Sequence, residues 1–306
     1  MYLGYYSSGS TELYREYNSL NACQSATSYN VNCTKVISAG DPIVWRIVRI
    51  NEDGSIRIVT QDNVGGSQFN TNSGDNASAG YMYGQTGQTG NNAYNLTHAN
   101  DNPSTVKVFL DDWYVNNLKN YTNLMSTEAG FCNDRSIAPS AGLWANWDTA
   151  LGYAKNSTVY GARGRLIDQS MNAKENAQPQ FKCPNGERDL FTTSSSSKGN
   201  KELDYPIGLL TADEVTYAGA AYRKNSESIY LVNGRGYWTM SPTGHAGSFV
   251  SAFVVSRSLD AMNVYSHYGV RPVVNLKSTV ELTTEVPSGC TEQNGTASCP
   301  YMIKIG

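Results

Sequence analysis

The chain has 306 residues, 40% hydrophobic and only 16% charged, with a net charge of −3. It carries no Lys/Arg cluster, so the electrostatic footprint of a nucleic-acid binder is absent, and no apolar run approaches the ~18–20 residues of a membrane span. Asn, Ser, Thr, Gly and Tyr take the place of the missing charges, with 21 Tyr against 7 Phe; Tyr among small polar neighbours is the composition of extracellular β-rich and recognition surfaces, where it gives contact area at low entropy cost.

The first residues, "MYLGYYSSGSTELY", lack a basic segment followed by an apolar one, so they do not read as a signal peptide. A native leader or anchor is expected to have been removed ahead of Met1. Residues to about 40 read as an N-terminal arm capped by a disulfide. Cys23 and Cys33 flank "QSATSYNVN", and Cys290 and Cys299 flank "TEQNGTAS", both turn-rich polar loops; Cys132 and Cys183 remain. Six cysteines permit many pairings, so connectivity does not follow from spacing. The local pairs 23–33 and 290–299, with 132–183 left over, need the least chain ordering. No CxxC spacing or neighbouring His supports zinc, so disulfides in an oxidising compartment are expected.

"IVWRIVRINEDGSIRIVTQDN" (43–63) is the clearest β signal. Two β-branched runs, 43–50 and 55–60, bracket Asn51-Glu52-Asp53-Gly54, whose Asp-Gly supplies the positive φ a hairpin wants. Along the first run Val44, Arg46, Val48 and Ile50 alternate with Trp45, Ile47 and Arg49, as on a sheet with one half-wet face. Residues 64–103 are rich in Gly, Asn, Gln and Ser without periodicity, and read as a long loop or insertion packed on the surface. Within them "NTNSGDN" offers oxygen donors for a structural calcium, though in no ordered ligand pattern.

"STVKVFLDDWYVNNL" (104–118) predicts a helix capped by Ser104, with Trp113 in the core. "LLTADEVTYAGAAY" (209–222) contains the capping box Thr211-Ala212-Asp213-Glu214 before a short helix that stops near Gly219. After residue 230 the chain turns to β. "SIYLVN" precedes a Gly-Arg-Gly turn, then come "YWTMSP" and "SFVSAFVVS"; the last is apolar on both faces and reads as a central buried strand. "SRSLDA" turns, "MNVY" returns and "VRPVVNL" pairs again, at an edge or bulge because Pro272 lacks a ladder donor. "CPYMIKI" offers one more strand to close the sheet. Arg271, a charge inside a buried segment, must find a carboxylate or a set of backbone carbonyls and is expected to clamp the closing strand to the loop that precedes it, at 243–268.

Little of this carries chemistry. The three histidines, His98, His245 and His267, form no HExxH or other metal-spaced pair, and no GxSxG, Walker A or GxGxxG motif occurs. Asp111-Asp112 and Asp213-Glu214 lie on predicted helices, where solvation or capping explains them. No catalytic residue is assigned. A secreted glycan hydrolase would need two carboxylates facing across a cleft, and a pilus or fibre subunit would need self-assembly; both stay open as alternatives.

The pieces "WRIVRINEDGSIRIV", "YPIGLLTADEVTYAGA", "YWTMSP" and "GVRPVVNL" together resemble a group of surface proteins from gut Firmicutes and their phages, over roughly residues 40–306. Their last third is similar to the C-type-lectin-like fold related to formylglycine-generating enzymes. Some proteins of that fold are the variable proteins of diversity-generating retroelements, in which exchangeable side chains gather on one ligand-binding face. The resemblance implies an α+β fold with antiparallel sheets, few short helices, long loops and disulfide staples, in a single domain over 1–306. It implies a variable region at 237–276, with "YWTMSP" and "GVRPVVNL" as framework. The exchangeable positions are then Thr243, His245, Ala246, Ser248, Ser256, Arg257, Asp260, Met262, Asn263, Tyr265, Ser266, His267 and Tyr268. The copper-binding cysteine pair of formylglycine-generating enzymes has no counterpart, since no Cys lies between 184 and 289, so that activity and its cofactor are not expected. The expected role is non-enzymatic binding of a protein or glycan on another cell or host surface, with the chain extracellular, at a cell surface or on a phage particle. Ordinary hydrophilic loops at 243–268 are the plainer alternative.

Overall fold

The structure is a computed structural model. It describes residues 1–7, 13–14, 23, 25, 35–90, 92–138, 158–246, 249–296 and 299–304. Strands β1 (Tyr2–Tyr5), β2 (Leu13–Tyr14) and β3 (Lys35–Ile37) lead to the hairpin of β4 (Pro42–Ile50) and β5 (Ile56–Thr60). Gly54 takes φ +79° in its turn, as the Asp-Gly pair predicts. The pairing slips between Ile47 and Arg49. Ile43 and Trp45 are buried and Ile47, the last residue before the slip, is already exposed; beyond it Ile50 is exposed as well, the extra residue having broken the period of two.

The Gly/Asn-rich stretch differs from expectation. It holds β6 (Gly66–Gln68), a 3-10 turn at Asn76–Ala79, β7 (Met82–Tyr83), α1 (Ala93–Thr97) and β8 (Asn102–Pro103). Its middle, 74–81, is buried rather than spread on the surface. Irregular backbone can be interior only if its polar groups find partners, and amide side chains supply them. Asn133 accepts from Tyr81 N (2.9 Å) and donates to Met240 O (2.6 Å). Asp75 accepts from the amides of Ala77 and Gly87, so its carboxylate is committed to the loop. Among the described residues no group of three His, Cys, Asp or Glu could hold a metal ion. A Cβ on Gly84 would lie 1.8 Å from Leu96 O, so what looked like loop composition is close backbone packing.

Helix α2 (Thr105–Asn117) starts where predicted, with Ser104 accepting from Lys107 N, and its Trp113 meets Trp45 edge-on at 6.2 Å in the core. There follow β9 (Phe131–Cys132), β10 (Thr158–Val159), α3 (Gly161–Leu166), α4 (Gly186–Asp189), β11 (Leu190–Phe191) and α5 (Ala212–Tyr217). The capping box of α5 is complete: Glu214 N donates to Thr211 Oγ1 at 3.1 Å, and Thr211 N to Glu214 Oε2 at 2.9 Å.

The last third forms β12 (Tyr237–Ala246), β13 (Phe249–Val255), β14 (Leu259–Asn263), β15 (His267–Gly269) and β16 (Val273–Leu276). A six-stranded sheet runs β14-β13-β12-β15-β6, with β10 also paired to β12; a four-stranded sheet runs β1-β4-β5-β16. The fold is thus mixed α+β, mostly antiparallel, with few short helices. One core cluster takes residues from Met1 to Ile303. As predicted, β13 is central and buried. Four expectations shift. "SIYLVN" is a turn rather than extended chain. The returning strand is Leu259–Asn263, because Leu259 already faces Val255 after a short turn. "VRPVVNL" closes the other sheet, pairing with β5 at its edge. The final segment makes only single bridges, Tyr2 with Met302 and Leu282 with Ile303.

Disulfides join Cys132 to Cys183 and Cys290 to Cys299. Cys23 is buried and disulfide-bonded, and Cys33 lies outside the described residues. No described helix is long and apolar enough to cross a membrane.

Arg271 sits where the chain passes from β15 to β16 and is fully buried. Its Nε and Nη2 donate to Thr60 O at 2.9 and 2.7 Å, and Nη1 to Leu231 O at 2.6 Å. The guanidinium lies 4.8 Å from the centre of the Tyr237 ring. A clamp on carbonyls is present, but it ties the closing strand to Thr60 at the end of β5 and to Leu231, not to the loop at 243–268.

Arg271→Met strands both carbonyls and should lower the unfolding free energy in urea by about 2–4 kcal/mol; an unchanged midpoint would remove the clamp. The two disulfides close loops of 51 and 9 residues. Alanine at Cys132 and Cys183 should therefore cost about 4 kcal/mol, against roughly 2.5 for the Cys290–Cys299 pair, measured in the same titration.

Candidate functional site

The structure divides the anticipated binding residues into three groups. Thr243 and His245 are buried, because β12 is an interior strand with β10 lying along its far end. Thr243 Oγ1 donates to Ser251 Oγ at 2.8 Å.

At the open end of the β13–β14 hairpin, Asn263 and Tyr265 come together with Phe249, which sequence reading missed; Met262, opposite Ala252, lies on the other face of the sheet, and Ser266 and His267 follow Tyr265 in the chain. Phe249 is 49% exposed, Tyr265 41% and Met262 36%. The Phe249 and Tyr265 rings lie 6.1 Å apart, Asn263 Nδ2 donates to Tyr265 Oη at 3.3 Å, and Gln68 Nε2 holds Tyr265 O at 2.6 Å. The loop is thereby fixed while its rings face water. The backbone of Ala246 pairs with Phe249, and Ser248 lies outside the described residues.

The turn at the opposite end carries Ser256, Arg257 and Asp260. Arg257 Nε meets Glu227 at 3.1 Å, and Ser258 Oγ donates to Asp260 at 2.6 Å. Along β14, Asn263 stands four residues from Leu259 at the turn, about 13 Å of extended strand, so two patches stand where one face was expected. Tyr268 belongs to neither: half-buried, it packs edge-on against Trp238 at 5.2 Å.

A second feature went unnoticed in the sequence. A cleft of about 480 Å³ opens between the β4–β5 turn, residues 128–134, residues 180–186 and the N-terminus of α5. The Cys132–Cys183 disulfide ties two of these walls. On its floor Glu214 meets Arg57 at 2.6 Å and Arg49 at 3.0 Å. Beside it Arg165 bridges Asp213 at 2.9 Å and Asp134 at 2.8 Å. Burial pushes the Glu214 carboxyl up, but the Arg57 and Arg49 guanidiniums outweigh it and hold the group below its ordinary value. At the mouth the Arg49 guanidinium lies 4.9 Å from the Phe181 ring centre, and Phe181 meets Tyr217 edge-on at 4.9 Å. The adjacent carboxylates Asp213 and Glu214 are therefore buried ion-pair partners: capping explains Glu214 in part, and solvation explains neither. Arg49 and Arg57, one on each strand of the β4–β5 hairpin, were the visible signal, but their partner lies more than 150 residues away in the chain.

No family model matches the chain, and neither a curated protein nor a solved structure matches it.

Glu214→Gln leaves the buried Arg57 without its counter-charge and should cost about 3–5 kcal/mol. Because the folded carboxyl titrates below the ordinary value of 4.5, its contribution is present above that pH and is lost as pH falls through the lower folded value. Denaturation midpoints between pH 7 and 3 should show this acid slope in the wild type and a weaker one in Glu214→Gln; parallel profiles would contradict the assignment.

Proposed function

We propose that the protein is a non-enzymatic extracellular binding protein of receptor or adhesin type. It engages a protein or glycan on another cell or host surface through Phe249, Tyr265 and His267. The observation that carries this reading is the exposure of two neighbouring aromatic rings at the open end of a hairpin whose first strand is mostly buried. Exposed large apolar side chains grouped on a braced surface mark interaction sites, and aromatic residues dominate binding energy where they are held rigid. Disulfides at Cys132–Cys183 and Cys290–Cys299 are compatible with an oxidising, extracellular setting.

In the same reading the scaffold is C-type-lectin-like. Antiparallel β12–β14, with β15 alongside and a separate sheet joining the first and last strands, support it. A retroelement that exchanges residues within 237–276 would leave a reverse transcriptase gene and a near-copy of that coding segment, differing at adenines, beside this gene. Finding neither would detach the binding role from that mode of diversification.

Phe249→Ala combined with Tyr265→Ala removes side chains that the core does not use. Surface substitutions of this kind stay within about 0.5 kcal/mol, so the melting temperature should barely move. Binding of the labelled protein to cells that retain the wild type should be abolished. Retained binding, or a sharp loss of stability, would refute the patch.

A further inference from the structure

We propose that the cleft beside α5 is a second binding site, specific for a neutral saccharide. It shares no residue with the exposed patch and does not depend on it. Three observations carry the assignment.

The first is an aromatic platform at the mouth. Phe181, on the cleft wall, is 42% exposed and braced by the Arg49 guanidinium and by the Tyr217 ring, itself 70% exposed beside it. Rings held open to water beside a polar hollow match a ligand with apolar C–H faces and polar edges, which is the chemistry of a sugar ring. The second is charge balance. Arg49, Arg57 and Arg165 stand against Asp134, Asp213 and Glu214 in direct ion pairs. With Lys182 and Lys198 against Glu52, Asp53 and Glu128, the lining holds five cationic and six acidic side chains, so an anionic ligand meets no surplus of positive charge and a cationic one a surplus of only one. A polyhydroxyl ligand instead meets planar donors and acceptors in fixed orientation, each hydroxyl being able both to donate and to accept. The third is rigidity. The Cys132–Cys183 disulfide, the capping box of α5 and the amide of Gln180 on Asp213 (3.0 Å) set the walls before any ligand arrives, which removes much of the ordering cost of binding. The volume of about 480 Å³ lies within the range of small-molecule sites and suits one or two sugar units.

The test is saturation-transfer NMR and calorimetry on the full chain. The neutral probes are maltotriose, cellotriose, mannotriose, galactotriose and chitotriose, alongside a sulfated and a sialylated trisaccharide. At least one neutral probe should bind, with no charged probe binding more tightly. Phe181→Ala with Tyr217→Ala should weaken it by about tenfold or more at an unchanged melting temperature, the scale of losing two aromatic contacts. Phe249→Ala with Tyr265→Ala should leave that affinity intact, which separates this site from the patch. The proposal is overturned if no neutral probe binds, if only charged probes bind, or if the Phe181/Tyr217 variant keeps full affinity.

Discussion

Between Gly269 and Val273 the chain leaves the six-stranded sheet for the four-stranded one, and the guanidinium of Arg271 holds that crossing. A charge taken out of water costs several kcal/mol unless its hydrogens are used. Here three of them go to two carbonyls, and its face is covered by Tyr237. Thr60 takes two of those bonds and returns one, its own amide donating to Pro272 O at 3.0 Å. Leu231 O takes the third together with the Tyr237 hydroxyl, at 2.8 Å. The end of β5, the approach to β12 and the entry to β16 are thus fixed around one side chain. Lys could not replace it, because a point charge on a flexible stem lacks the planar fork that spans both carbonyls.

What that crossing secures is the separation of load from display. Trp238, Val250, Phe253 and Val254 are buried while Phe249 and Tyr265, at the end of the same strands, face solvent. Stability comes from the interior set, so the outer positions are free of packing demands. Thr243 and His245 show the limit of this freedom. They fall inside the segment expected to vary, yet their strand has neighbours on both sides, so a larger side chain at either would meet close packing.

Local chemistry was legible in the sequence and long-range partnership was not. The Asp53-Gly54 turn, the Ser104 cap and the Thr211–Glu214 box are each specified within four residues, and each stands where the sequence puts it. The buried stretch 74–81 looks like loop because its interior status rests on amides such as Asn133, some fifty residues on. The sheet to which "VRPVVNL" belongs was hidden for the same reason, since β16 pairs with a strand more than two hundred residues earlier. At the candidate surface Tyr265 was visible as an aromatic side chain in a polar stretch. Phe249 was hidden by its place in a strand otherwise apolar on both faces.

Glu214 joins the local and the long-range parts of the molecule. Its carboxylate closes the capping box of α5 by accepting from Thr211 N, and the same group neutralises Arg57 and Arg49 from the β4–β5 hairpin. A residue used only as a cap could be Gln, since a neutral amide oxygen also accepts from the N-cap amide. Two guanidiniums require an ionised carboxylate, and Arg57 is buried as deeply as any core side chain. The charge is therefore set by the cleft and the position by the helix. Since Arg49 in turn lies against Phe181, the aromatic mouth of the cleft is braced, through one carboxylate, by the first turn of a six-residue helix.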